Sequence, residues 1–195
     1  MTIRAFLAID LPKELKAEIF KLKPETEPPG IRVKWVEEEN FHITLKFFGK
    51  VEEPKLRKAW KKGEEVLKDA ESFKLVIDEV GFFSGRGGMP RVVWLGLNDR
   101  FLNPLIEVFQ SVDKVFKKLR LGEKTGSFHP HITLFRIKEV SNLKDFEAYL
   151  EEVRESAKSL KGRTFLVREL TFFKSILTPK GPKYESLHKV ELGNG

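Results

Sequence analysis

Apolar residues recur at every second position in some stretches of the chain and at every third or fourth in others, and this alternation divides it into strands and helices. Residues 3–9 are almost continuously apolar and read as a buried strand. Asp10 then reads as the N-cap of a helix with Pro12 in its first turn and Leu15, Ile19 and Leu22 on one face. Residues 24–30 form a Pro-rich loop; 31–36 and 41–48 alternate like strands, the second closed by Gly49. From Pro54 to about Ala70 a helix gathers Leu56, Ala59, Trp60, Val66 and Leu67 on one side, and its Lys-rich remainder faces solvent. Strands follow at 73–83 and 91–97, separated by the loop SGRGGMP. Residues 101–119 carry the most regular helical stripe, including Leu102, Leu105, Phe109, Val112 and Phe116. After a loop at 121–127 come a strand at 131–137, a helix at 143–157, one long strand at 163–177, the turn TPKGP and a last strand at 184–192.

Several neighbouring strands are joined by connections too short for helical crossovers. That predicts an α+β fold with antiparallel sheets flanked by helices. The tetrapeptide HITL occurs at 42–45 and again at 131–134, and each copy is followed by a helix and another strand. This repetition predicts two pseudo-symmetric lobes around a central cleft. With no linker or low-complexity segment, residues 1–195 read as a single bilobal domain.

Strand alternation gives the repeated tetrapeptide its chemistry. Phe41, Ile43, Leu45 and Phe47 fall on one face, for the core, and His42, Thr44 and Lys46 on the other. In the second copy Ile132 and Leu134 turn inward, while His131 and Thr133 share the opposite face. An imidazole and a hydroxyl then stand side by side on each strand, roughly 6–7 Å apart along the backbone. Two of the four histidines in the chain are used this way. A pair of imidazoles can hold one ring as general base and the other as general acid near neutral pH. Threonine hydroxyls can donate to phosphoryl oxygens. The constellation suits in-line displacement at a phosphodiester, and a duplicated structural strand is the competing explanation.

Composition narrows the chemistry. The absence of cysteine excludes disulfides, thiolate nucleophiles and cysteine zinc sites, and fits a reducing cytoplasm. His129 and His131 lack the partners and spacing of a zinc site, so no metal is expected. GEKT at 122–125 lacks the upstream glycine of a phosphate-binding loop, so no nucleoside triphosphate or other cofactor is indicated. No apolar run is long enough to span a membrane, and no membrane partner is expected. A net charge of +7 favours an anionic partner such as nucleic acid, although many soluble proteins carry such a charge without one.

Five blocks in order carry a family resemblance: RAFLAID, WVEEENFHITLKFFG, GFF with RVVWLGL, FHPHITLFR and SILTPKGPKYESL. Together they resemble the two-histidine (2H) phosphoesterases, and among them the RNA 2′,3′-cyclic phosphodiesterases, also called the LigT-like or 2′-5′ RNA ligase family. The resemblance implies hydrolysis of RNA 2′,3′-cyclic phosphate ends, possible substrates including tRNA fragments, to a 2′-phosphate. It implies His42 as proton donor, His131 as proton acceptor, and Thr44 and Thr133 as ligands of the phosphate oxygens. Joining through a 5′-hydroxyl in place of water is implied as a side or reverse activity. Arg136 stands where the family commonly has an arginine near the phosphate. Simple alternation turns it away from His131, so that role requires a bulge or the strand's end. Lys46 is a further candidate for RNA phosphate, His129 reads as a cleft-rim residue, and His188 has no motif around it. A cytoplasmic monomer is the default expectation. An RNA-binding protein without turnover, or a 2H enzyme acting on another cyclic nucleotide, are the alternatives.

Overall fold

The computed structural model describes residues 1–122 and 126–193. The middle of the 121–127 loop, including most of GEKT, therefore lies outside the described residues. In chain order the elements are β1 (Thr2–Asp10), α1 (Lys13–Phe20), β2 (Ile31–Trp35), β3 (His42–Glu52), α2 (Glu53–Leu67), β4 (Phe73–Ser84), β5 (Pro90–Leu97), α3 (Asn103–Lys118), β6 (Ile132–Val140), α4 (Leu143–Ala157), β7 (Thr164–Val167), β8 (Glu169–Thr178) and β9 (Gly181–Glu191).

The strands form one sheet in the order β7-β4-β5-β6-β3-β1-β8-β9, with β2 pairing on β6, and every ladder between them is antiparallel. The order is palindromic about the β6–β3 junction. β5 flanks β6 as β1 flanks β3, and β4 and β8 lie one strand further out. This is the α+β, two-lobed, pseudo-symmetric architecture expected from the repeat. Its two halves are halves of one continuous sheet. Helices α2 and α3 pack together over the β3–β9 side, and α4 packs on β4.

β1 is apolar on both faces for a reason. Ile3, Ala5, Leu7 and Ile9 enter the main core, while Phe6 and Ala8 join Phe173 and Tyr184 in a small cluster on the other side. Several sequence expectations give way locally. Asp10 is the last residue of β1 and does not cap α1; Pro12 holds the cap position, and the Asp10 carboxylate pairs with Lys16 at 2.7 Å. α2 ends at Leu67, and Val66 is exposed rather than on the apolar face. α3 begins at Asn103, after a separate 3₁₀ turn, Asp99–Phe101, capped by the Asn98 side chain. The expected long strand 163–177 is two strands. It breaks at Arg168 because β7 pairs with β4 while β8 pairs with β1 and β9, at opposite ends of the sheet.

The most consequential departure is a β-bulge in β3. Across β1, Leu7 faces Lys46 but Ala8 faces Thr44, so Leu45 is an extra residue and the alternation inverts after it. Lys46 and Phe48 therefore turn into the core and Phe47 turns out, 52% exposed, the reverse of what plain alternation assigns. Lys46, only 2% exposed, reaches Asp113 of α3 at 2.9 Å, and Lys117 reaches the same carboxylate at 2.6 Å. Burial pushes the Asp113 carboxyl up, but the hydrogen bonds from Lys117 and Lys46 outweigh it and hold it below the usual carboxylate range.

Ile43 and Ile132 form the ladder pair that joins the two halves, and both are fully buried. Ile132→Ala is expected to cost about 2–5 kcal/mol of stability. The check is a lower denaturant midpoint at unchanged slope.

Candidate active site

The β3–β6 junction assembles the two histidine motifs. Around the pair Ile43–Ile132, antiparallel register sets His42 beside Thr133 and Thr44 beside His131. Side chains one step from an inward isoleucine point to the opposite face. The four therefore cluster on the cleft side of the sheet, one imidazole and one hydroxyl from each half.

Both rings are held the same way. Nδ1 of His42 lies 2.6 Å from the Asn40 carbonyl, and Nδ1 of His131 lies 2.6 Å from the His129 carbonyl. A carbonyl can only accept, so each Nδ1 carries the proton and each Nε2 is left for other partners. On His42 that atom is 2.8 Å from the Thr44 hydroxyl. Asn40 is itself buried, and its side-chain nitrogen donates to the Pro182 carbonyl at 2.7 Å, tying the first motif to the β8–β9 hairpin. His129 thus contributes its carbonyl; its exposed ring pairs with Ser127 at 3.0 Å.

β6 carries the same bulge as β3. Val93 faces Phe135 but Trp94 faces Thr133, so Leu134 is the extra residue. Phe135 turns inward and Arg136 outward, onto the side of His131 and Thr133. The bulge that an Arg136 role required is present. Its charge reaches both His131 and the phenol of Tyr184. The identical bulge in β3 has the contrary effect on Lys46, which is withdrawn from the cleft, and puts Phe47 at the position matching Arg136. His188 lies elsewhere, stacked on Trp60 with centroids 4.9 Å apart and 2.7 Å from Glu64.

Aromatic rings surround the motif histidines. Tyr184 meets the His42 ring edge-on, with centroids 5.4 Å apart, and Phe6 lies 5.1 Å from it. Phe83 meets His131 edge-on at 5.0 Å. Beside His42 a cavity of about 540 Å³ opens between the Glu38–Asn40 turn and the β8–β9 hairpin, with Asp10, Lys16, Lys183 and Tyr184 in its wall. Burial pushes the His42 imidazole down to about 4, against the opposing pull of the Asn40 carbonyl and the Asp10 carboxylate. Burial also lowers His131, with the charges of Arg136 and His129 adding to it. Among the described residues no group of three or more His, Asp or Glu side chains is arranged to hold a metal ion.

Asp10, Phe47, Tyr184 and the latch at Asn40 escaped the sequence reading. Their membership follows from ladder register and from a bulge, neither of which leaves a mark in a single sequence. Only the aromatic and amide character of those positions could have drawn attention to them.

Two His-x-Thr strands meeting at the seam of a two-lobed antiparallel sheet define a two-histidine phosphoesterase arrangement. The chain belongs to the LigT like Phosphoesterase family, whose model matches residues 9–94 and 95–184, one match around each histidine motif. It is 33% identical over 186 residues to an RNA 2′,3′-cyclic phosphodiesterase of Methanocaldococcus jannaschii, covering 94% of this chain and 97% of that protein. To the enzyme of the same name from Methanothermobacter thermautotrophicus it is 32% identical, covering 98% and 100%. The crystal structure of E. coli LigT complexed with 3′-AMP superposes with a TM-score of 0.74 at 25% identity, covering 98% of this chain and 99% of that one.

The low proton affinity of His42 comes from burial of its ring. Its ring is expected to titrate near pH 4 in the free protein by NMR, and the midpoint should rise when inorganic phosphate is added, because an adjacent anion favours the charged ring. Lys46→Met should leave the KM for an oligonucleotide with a cyclic phosphate end within about twofold, since the ammonium points into the core. A phosphate ligand in the cleft would raise that KM much further.

Proposed function

We propose that this protein is an RNA 2′,3′-cyclic phosphodiesterase, hydrolysing the cyclic phosphate at an RNA end to a 2′-phosphate by acid–base catalysis between two histidines. The meeting of the two motifs at Ile43–Ile132 is the observation that supports this most directly. It gathers two imidazoles, each held through Nδ1, and two hydroxyls on one surface. Family membership and the names of the relatives agree with it.

In this reaction a water oxygen bonds to phosphorus as the P–O3′ bond breaks. Nε2 of His131 takes the water's proton, and Nε2–H of His42 protonates the departing O3′, leaving a 2′-phosphate and a 3′-hydroxyl. Thr44 and Thr133 donate to the non-bridging oxygens, and Arg136 adds a fixed positive charge as negative charge builds on them. Phe47, exposed on the same side, offers a ring on which the terminal base can stack. His42 needs its second proton only when substrate is bound, and the phosphate's own negative charge then supports it. Both proton transfers fall to side chains, so the reaction needs no metal ion. A 5′-hydroxyl entering in place of water would give a 2′-5′ linkage from the same cyclic phosphate.

His42→Ala and His131→Ala are each expected to lower turnover of a cyclic-phosphate oligonucleotide by about 10²–10⁴-fold while leaving its binding largely intact. Arg136→Ala should reduce kcat by about 10²-fold or more. Activity should persist in chelator, and the product phosphate should sit on the 2′ oxygen. Undiminished turnover in either histidine variant refutes the mechanism. Tight binding without product from any cyclic phosphate would make the protein an RNA-binding module instead.

A further inference from the structure

The two halves repeat each other closely at the seam, and one of the differences around the two histidines lies in what the neighbouring strand sets beside each. Across β1, Ile9 faces Ile43 and Asp10 faces His42. Across β5, Leu95 faces Ile132, and carrying that register one residue further brings Gly96 beside His131. A carboxylate therefore stands next to one imidazole, and a glycine stands at the matching place beside the other. The glycine cannot be exchanged for an acid, because a Cβ at position 96 would meet the Glu79 carbonyl at 2.9 Å and the Trp94 ring at 3.2 Å.

We infer that Asp10 breaks the symmetry of the histidine pair by counteracting the burial of the His42 ring, so that His42 takes the acid's part with an anion beside it while His131 remains the base. This rests on the reaction proposed above. Asp10 shares the wall of the cavity beside His42, pairs with Lys16 and stays partly solvent-exposed. It acts through His42 and is a positioning residue.

The other charges around the ring define what a test must separate. From α1, Lys16 bonds Asp10 at 2.7 Å and opposes it, disfavouring the charged ring. From the residue just before β6, the His131 ring opposes it as well. Glu37 and Glu39 before and within the 3₁₀ turn, and Lys180, Lys183 and Tyr184 on the β8–β9 hairpin, line the same cavity. The field of Asp10 also reaches Lys189 on β9. Around His131 the charges that act are those of Arg136 and His129, both cationic when charged, and both favour a neutral ring. A neutral imidazole can accept the proton of water; a ring beside a carboxylate more readily carries one to give.

Asp10 and Lys16 are partners, so a merely structural role would make their variants alike, whereas an electrostatic role makes them opposite. The acid must be protonated, so activity falls as pH rises through the His42 pKa in the substrate complex. Asp10→Asn should move this alkaline limb of the kcat profile for adenosine 2′,3′-cyclic phosphate to lower pH by roughly half to one unit. Lys16→Met should move it to higher pH. The His42 NMR midpoint in inorganic phosphate should shift in the same two directions, and that readout needs no turnover. Two variants that lose activity alike with unmoved limbs and midpoints would overturn the inference. Midpoints that move oppositely in a protein that hydrolyses no cyclic phosphate would uphold the electrostatic role of Asp10 and refute the proposed reaction instead.

Discussion

The structure turns on a single ladder pair, Ile43 with Ile132, at which two half-sheets become one. Strands β3 and β6 are neighbours only there; beyond it β3 continues along β1, and β2 takes over the flank of β6. Because the shared residue is the isoleucine between each histidine and threonine, the two motifs meet with a local two-fold relation. Any other register would separate them by about 3.3 Å per residue slipped and turn them to opposite faces at odd slips. Burial of both isoleucines therefore secures stability and the geometry of the site together.

Immediately past this pair each strand carries one extra residue, Leu45 and Leu134. The bulge lets three consecutive positions in each half switch role. Two buried residues follow one another, and the next side chain swings back to the cleft. In the first half the buried follower is Lys46, neutralised by Asp113 of α3, and the cleft receives Phe47. In the second half the buried follower is Phe135, and the cleft receives Arg136. One backbone device thus delivers an aromatic ring to one side and a cation to the other. That division fits a ligand with a base at one end and a phosphate at the other. The Lys46–Asp113 pair also fixes α3 to β3, and Gly122 packs so close that a Cβ there would meet the Lys46 chain at 2.5 Å.

Elements with strong periodicity were legible in the sequence, as were the repeat, the antiparallel class and the four residues of the motifs. The strand break at Arg168 was not, because RTFLVRELTFF is apolar and β-prone throughout and only the pairing partners divide it. Lys46 was misread for the same reason that Arg136 was left undecided. Strict alternation is the sole rule a lone strand offers, and a bulge is set by the neighbouring strand. Asp10 looked like a helix cap because its position before Pro12 suits one, yet its carboxylate is used sideways, toward Lys16 and His42. The residues lost to sequence reading are those whose role depends on what lies across a ladder.

Burial lowers the proton affinity of both motif rings, and their surroundings explain why. Two charged imidazoles side by side, half-buried among Phe6, Tyr184, Phe83 and Trp94, would repel each other and lack hydration. Neutral rings avoid that cost. In the proposed reaction a phosphodiester would bring its negative charge where the second proton is needed and exclude the water that would otherwise screen it. On that proposal the charged state of the pair is created by the anion itself. A neutral molecule in the same cavity would leave His42 without its proton, so in the proposed reaction a preference for phosphate would follow from burial of the ring as much as from Arg136.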